Sequence, residues 1–399
     1  MFTDGFAGYG GMKTMISFDE TIEESLYTYA VAIRRELHQY PEIGFELDKT
    51  VKLVSDALDD MQISYTYSYG KGSVVAELGQ GKTLIALRAD MDALPVEEKT
   101  NLPYSSKNPG QMHACGHDSH TAILLAVARY LKENEDKLNC RVRLIFQPSE
   151  EGAISGAKMM VDNGVMNGVN HILCTHCENA LEAGNIGICC GNYMAACIPA
   201  TVRFIGHTSH ATLPEFGVDA IAMAVEAYEQ MKSMVANEAG DNRYIWSVGS
   251  FKGGEVHNVI ADACEMQISF RFYNKEFAAR VGENVHNICR EIAKKYGGDF
   301  EISWNMSTGA VCNDEKIAKR FERVAETEGL CIHHVPQRMS SEDFGWYLEK
   351  VPGMIFRFGT RNEALGCTAL AHSNDFCIEE SGMKSAIRAF CAYIMNFEE

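Results

Sequence analysis

The sequence predicts an α/β protein built in two parts, on three observations. Its 399 residues exceed what a single hydrophobic core usually serves. From about residue 63 to 176, short apolar strands alternate with helical patterns, and charged residues gather where the strands end. Between about 198 and 308 the rhythm becomes strand, helix, two strands, helix, strand, the order of a split, ferredoxin-like unit. We therefore expect one α/β domain over 19–197 and 309–399, with a second unit inserted at 198–308.

The elements follow in chain order. Ile22, Leu26, Tyr29, Ile33 and Leu37 share one helical face, and Val51, Val54 and Leu58 continue it after Pro41 and Gly44 interrupt the period. Strands are expected at Ile63–Tyr67, Ser73–Leu78 and Thr83–Arg88, the last delivering Asp90 and Asp92. The segment Met112–His120 puts one thiol, three imidazoles and a carboxylate ahead of a helix marked by Ile123, Leu124, Val127 and Leu131. A helix start there would help to keep the Cys115 thiol ionised.

Arg141–Gln147 reads as a strand ending at Pro148-Ser149-Glu150-Glu151-Gly152. A helix over 156–163 then leads to a strand, His171–Thr175, ending at His176. In the inserted unit, strands are expected at Pro199–Ile205, Tyr244–Phe251, Ala263–Phe272 and Asp299–Trp304, with helices over 218–235 and 276–296. The remainder reads as a helix over 315–328, strands His333–Pro336 and Gly353–Phe358, and a last helix over 381–395.

Composition narrows the function. A net charge of -18 argues against nucleic acid or an anionic membrane as partner. No run of about 18 apolar residues exists to span a bilayer. The first residues lack the basic start and apolar centre of a signal peptide, so 1–18 is read as a disordered leader. Fourteen cysteines without a secretion signal point to the cytoplasm and to free thiols.

Four separated segments offer metal-type donors: Cys115 with His117, Glu150 with Glu151, His176, and His372. One zinc is satisfied by four protein ligands, or by three and a water. Five donors exceed that, so two metals a few Å apart are the economical reading, clamping a water and a carbonyl oxygen together. Adjacent glutamates point apart on an extended chain. Glu151 is therefore assigned to the metal, and Glu150 to the water as general base and then acid.

Each segment also has a plainer reading. Cys115 alone is a buried thiol, Glu150-Glu151 a solvated loop end, and His372 a hydrogen-bonded structural histidine. Cys174-Thr175-His176-Cys177 contains a C-x-x-C, but it sits on a strand and no second pair follows at zinc-ribbon spacing. In the inserted unit, His207, His210, Asn258 and Arg271 read as surface polarity, or as an oxyanion-stabilising imidazole with donors for a substrate carboxylate.

Five motifs in order then carry a resemblance: Arg88–Pro95, His113–Asp118, Gln147–Gly152, Ser341–Phe344 and His372-Ser373. The chain resembles the N-acyl-amino-acid amidohydrolases of the aminoacylase and carboxypeptidase class of dimetal metallopeptidases, in the branch of hippurate and auxin-conjugate hydrolases. That resemblance implies a mixed-sheet catalytic domain with a lid and dimerisation domain. It implies two divalent metals, manganese or zinc, on Cys115, His117, Glu151, His176 and His372, with the thiolate shared. Asp90 and Asp92 belong to the supporting motif. Glu150 would be the base, and His210 would be lent to the partner's site in a homodimer. Asn258 and Arg271 would hold the carboxylate of an N-acyl or N-aroyl amino acid, or of a short peptide.

The chain departs from its relatives at Glu215, Ala261 and Asn374, and around His176 at Cys174, Cys177 and Glu178. None of these removes a proposed ligand, but several fall near the pocket and bear on the substrate. A dipeptidase or carboxypeptidase is the alternative activity. A metal-buffering or peptide-binding protein without turnover is the remote one, against which the intact Glu150-Glu151 pair counts.

Overall fold

The computed structural model describes residues 19–398. The leader, 1–18, lies outside the described residues. The principal sheet has eight strands, in the spatial order Tyr65–Thr66, Val74–Gly79, Arg141–Gln147, Leu84–Asp90, His171–Glu182, Gly353–Arg361, Asn185–Ile188 and Cys331–His334. The four strands from Arg141–Gln147 to Gly353–Arg361 run parallel and are flanked by antiparallel partners, so the sheet is mixed.

Side-chain alternation sorts this sheet onto two cores. Ile85, Leu87 and Ala89 pack with the helices Glu20–Gln39, Asp48–Asp60, His117–Glu133, Glu315–Thr327 and Gly382–Met395. Leu84 and Ala86 face the other way, toward Met160, Tyr193, Phe344 and Tyr347. Arg88 and Asp90 continue that second phase. The strand runs two residues further than its apolar run suggested, so Asp90 is its last residue.

Helix boundaries have local causes. Asp19, Ser155 and Asp314 accept backbone N–H groups at the starts of their helices. The first helix stops at Gln39, ahead of Pro41. Gly116 begins the helix His117–Glu133 at φ 81°, a conformation that favours glycine. A Cβ there would meet the Cys177 Sγ at 2.4 Å.

A four-stranded antiparallel sheet encloses a core of its own. Its order is Asp299–Trp304, Ala196–Ile205, Ala263–Phe272 and Tyr244–Gly253. The helices Ala220–Ala239 and Lys275–Tyr296 bury Met223, Met231, Phe277 and Val285 against it. This is the strand-helix-strand-strand-helix-strand order expected.

Three short strands escaped the sequence reading: Asn185–Ile188, Gly191–Met194 and Val311–Asn313. The strand expected to stop at His176 instead continues to Glu182, because Gly353–Arg361 pairs with it along that length. His176 is therefore within the strand. It lies just past Cys174, where pairing with Leu84–Asp90 stops on the other side. All fourteen cysteines are free, as expected.

Candidate metal centre

The site forms where the parallel strands end, the edge at which such sheets hold their chemistry. Leu84–Asp90 supplies Asp90 and, two residues on, Asp92. Arg141–Gln147 leads into Glu150 and Glu151, and the loop after Gly353–Arg361 carries His372. His117 is the first residue of its helix, with Cys115 two residues before it.

Hydrogen bonds fix which imidazole nitrogen is free. A carbonyl can only accept, so the His117 Nδ1 donates to the Asp92 carbonyl at 2.8 Å. That turns its Nε2 toward Asp90, Glu150 and Glu151, at 3.8, 3.9 and 3.9 Å, where it has no hydrogen-bond partner. His176 Nδ1 likewise donates to the Cys177 carbonyl at 2.7 Å, leaving Nε2 3.4 Å from the Cys115 Sγ.

His120 differs. Its Nε2 accepts the Cys177 N–H at 2.9 Å and its Nδ1 donates to Asp90 at 2.6 Å, so both nitrogens are occupied. His113 is buried, and burial pushes its imidazole down to about 3. Of the three imidazoles in the opening motif, His117 is thus the one whose unpartnered nitrogen faces Glu150 and Glu151.

The five sequence-predicted donors converge. Ligand atoms of Cys115, His117 and His176 lie within 4.8 Å of one another, as do those of Cys115, Glu151 and His372. Cys115 is common to both sets. His372 Nε2 lies 3.0 Å from the buried Glu151 Oε1, and this contact is the main influence lowering the Glu151 carboxyl against burial. The His372 backbone, at φ 72°, is tied by its N–H to the Ala114 carbonyl at 2.8 Å. Residues about 250 positions apart in the chain therefore share one cage.

Asp92 holds the glutamate pair from below. Its two carboxylate oxygens accept the Glu150 and Glu151 N–H groups at 2.9 and 3.1 Å. Asp90 is held by Arg88 at 2.6 Å and by His120. Arg88 also reaches Glu342 at 3.1 Å, Asp343 at 2.9 Å and Gln147 at 2.8 Å. The roles of Arg88, His120 and Gln147 escaped the sequence reading, because their partners lie up to 255 residues away in the chain.

Electrostatics favour cations here. Burial pushes the Glu150 carboxyl well up, reinforced by Glu342, Glu151 and Asp343. Burial opposes ionisation of Glu151 too, but His372 and His117 outweigh it and lower that carboxyl. Burial would likewise lower His117, yet Asp90 and Asp92 hold it up at about 10, the imidazolium balancing the crowded acids. His176 is pushed down by burial and by Arg357, so it is a neutral imidazole.

One expectation is corrected. Burial pushes the Cys115 thiol well up, with Glu151, Cys177 and Glu150 adding to it, so the helix start does not keep it ionised. A bound cation would have to do so. The Cys115 sulfur, the Nε2 atoms of His176 and of His117 once a cation displaces its proton, and the adjoining Glu151 and His372 fit two divalent ions sharing the sulfur.

The remaining predicted residues lie in or beside the second sheet. His210 is exposed, its Nδ1 2.7 Å from the Thr212 Oγ1, and it pairs by backbone with Val259 beside Asn258. Asn258 is exposed, and its carbonyl accepts the Ala211 N–H at 3.1 Å. His210 and Asn258 are thus neighbours. Arg271 reaches across to the Ser341 loop, donating to the Met339 carbonyl and the Ser341 hydroxyl at 3.0 Å each. The Cys174 and Cys177 thiols face opposite sides of their strand, one in each core, so the C-x-x-C is not a redox pair.

Two overlapping donor sets at the carboxyl edge of a mixed α/β sheet, with a spare buried carboxylate beside them, define a metal-dependent hydrolase. The chain belongs to Peptidase family M20/M25/M40, whose model matches residues 86–396. It is 35% identical to an N-acetyl-L-cysteine deacetylase of Bacillus subtilis, covering 85% of this chain and 81% of that one. It is 34% identical to thermostable carboxypeptidase 1 of Saccharolobus solfataricus, covering 92% and 95%. Among solved structures, a Bacillus subtilis protein described as a dinuclear metal binding peptidase superposes with a TM-score of 0.82. That protein is 31% identical, over 93% of this chain and 98% of its own. The chain is a metal-dependent amide hydrolase of the amidohydrolase and peptidase family its motifs resembled. No helix among the described residues is long and apolar enough to cross a membrane.

Proposed function

We propose that the protein cleaves the amide bond of N-acyl or N-aroyl amino acids, giving a carboxylic acid and a free amino acid. The observation that carries this reading is the sharing of Cys115 by two donor sets with Glu150 beside them. Cys115, His117 and His176 would hold one divalent cation, and Cys115, Glu151 and His372 the other, as manganese or zinc. When bound, such ions supply Lewis acidity toward water and the amide carbonyl.

The chain's own groups do the rest. Glu150 takes the proton of the attacking water and returns it to the leaving amine nitrogen. Its burial among carboxylates favours holding that proton between the two transfers. Asp92 orients it through the backbone. His210 would stabilise the oxyanion, and Asn258 and Arg271 would anchor the substrate carboxylate. His210, exposed in its own loop, would be lent to a partner's site through residues 198–308, in a cytoplasmic homodimer.

The carboxypeptidase relative supports a second reading, cleavage of short peptides. Amine release from N-acetyl, N-benzoyl and indoleacetyl amino acids, set against dipeptides, separates the two. We expect a higher kcat/KM for the acyl conjugates. A preference for dipeptides, which present a free α-amino group, would replace this reading with the second.

A further inference from the structure

The loop that carries His372 is bracketed by two cysteines. Cys367 and Cys377 stand five residues to either side of it, and their sulfurs are 3.5 Å apart. Cys367 is buried and Cys377 is half-buried, the Cys377 sulfur also lying 3.7 Å from the Gly366 carbonyl. The loop's limbs are otherwise joined by hydrogen bonds alone, among them Ser373 N–H to the Leu370 carbonyl at 3.2 Å, with Lys99 N–H to the Asn374 carbonyl at 2.7 Å tying the tip to a neighbouring segment. Cys367 forms a backbone bridge with Asn362, and the Asn179 side-chain amide donates to the Ala369 and Cys377 carbonyls at 2.8 and 2.9 Å. Leu370 is 68% exposed, and His372 itself makes one backbone bond, to Ala114, and its contact with Glu151.

We propose that Cys367 and Cys377 are a dithiol that hydroperoxides oxidise to a reversible disulfide, stapling the loop that presents His372. The Cys377 thiolate attacks the terminal peroxide oxygen, the O–O bond breaks, and a sulfenic acid forms with an alkoxide, or hydroxide where the oxidant is hydrogen peroxide. The Cys367 thiol then attacks the Cys377 sulfur; the S–S bond forms, the S–O bond breaks and water leaves. Two electrons pass from the thiols to the peroxide, and an external dithiol reverses the change.

The geometry suits this. The sulfurs need only close from 3.5 Å to about 2 Å, within reach of side-chain rotation. The hydrogen bond between the thiols holds Cys377 down, at about 7, against burial and with help from Arg34. Cys115, the thiol inside the metal centre, is buried, whereas Cys377 is half-buried. Oxidation should therefore begin at Cys377. The bond's link to the metal centre rests on the role proposed for His372, whereas its formation does not.

The test uses the purified full-length protein, treated with hydrogen peroxide at stoichiometric amounts and mapped by non-reducing peptide mass spectrometry. We expect a Cys367–Cys377 linked peptide before other cysteines are oxidised, and its loss on adding dithiothreitol. Amide exchange across 368–376 should slow on oxidation by about tenfold or more, because the staple restricts local opening. Neither change should occur in Cys367→Ser or in Cys377→Ser. Absence of the linked peptide, prior oxidation of Cys115 or another thiol, or unchanged exchange despite the link would each overturn the proposal.

Discussion

Glu150 and Glu151 are neighbours in sequence with opposite electrostatic fates. Glu151 is lowered by two histidines and Glu150 is raised by burial and four other acids. That contrast is the residue-level basis for giving one to a cation and the other to a proton. Glu150→Gln should lower kcat by about 10²–10⁴-fold while metal content, measured by mass spectrometry, stays unchanged. Near-wild-type turnover would remove Glu150 from the chemistry. Asp92 acts one layer further out, since its carboxylate holds the backbone of both glutamates. Asp92→Ala should cost about 10–100-fold in kcat/KM or in metal affinity, read by titration alongside steady-state kinetics. Much of this level was legible in the sequence, because donor chemistry is written in residue types: Cys115, His117, Glu151, His176 and His372 all converge. The state of the thiol was not, because burial depends on what packs around it and outweighs the helix start.

At the scale of elements, the site depends on where strands stop and helices begin. Gly116 makes the turn from Cys115 into the His117 helix at a positive φ, with the Cys177 sulfur against it. Gly116→Ala combines strain with a clash, so it should destabilise the protein by roughly 1–3 kcal/mol. Denaturant unfolding of the metal-free protein checks this, and an unchanged midpoint would contradict it. Long periodic elements such as Glu20–Gln39 and Lys275–Tyr296 were readable from their apolar stripes. Asn185–Ile188, Gly191–Met194 and Val311–Asn313 were not, being too short to show a period and existing only because a distant strand pairs with them. The continuation of the His176 strand to Glu182 has the same cause, its pairing with Gly353–Arg361.

At the scale of the whole molecule, Arg88 ties the central strand Leu84–Asp90 to the loop that precedes Gly345–Leu348. One fully buried guanidinium joins Asp90 and Gln147 to Glu342 and Asp343 from near the chain's end. Arg88→Ala would leave buried acids without their cation and should cost about 3–5 kcal/mol, measured by equilibrium unfolding. Resemblance marked these residues as motif members, but only the fold shows that they are one network. The bond from the His372 N–H to the Ala114 carbonyl brings His372 beside Cys115, and on that convergence rests the proposal of two cation sites from five donors. An anomalous-scattering map of a crystal of the metal-loaded protein tests this most directly. The account predicts two peaks a few Å apart, each within about 2.3 Å of the Cys115 sulfur if the metal is zinc. A single peak, or a pair that leaves Cys115 unbound, would contradict it.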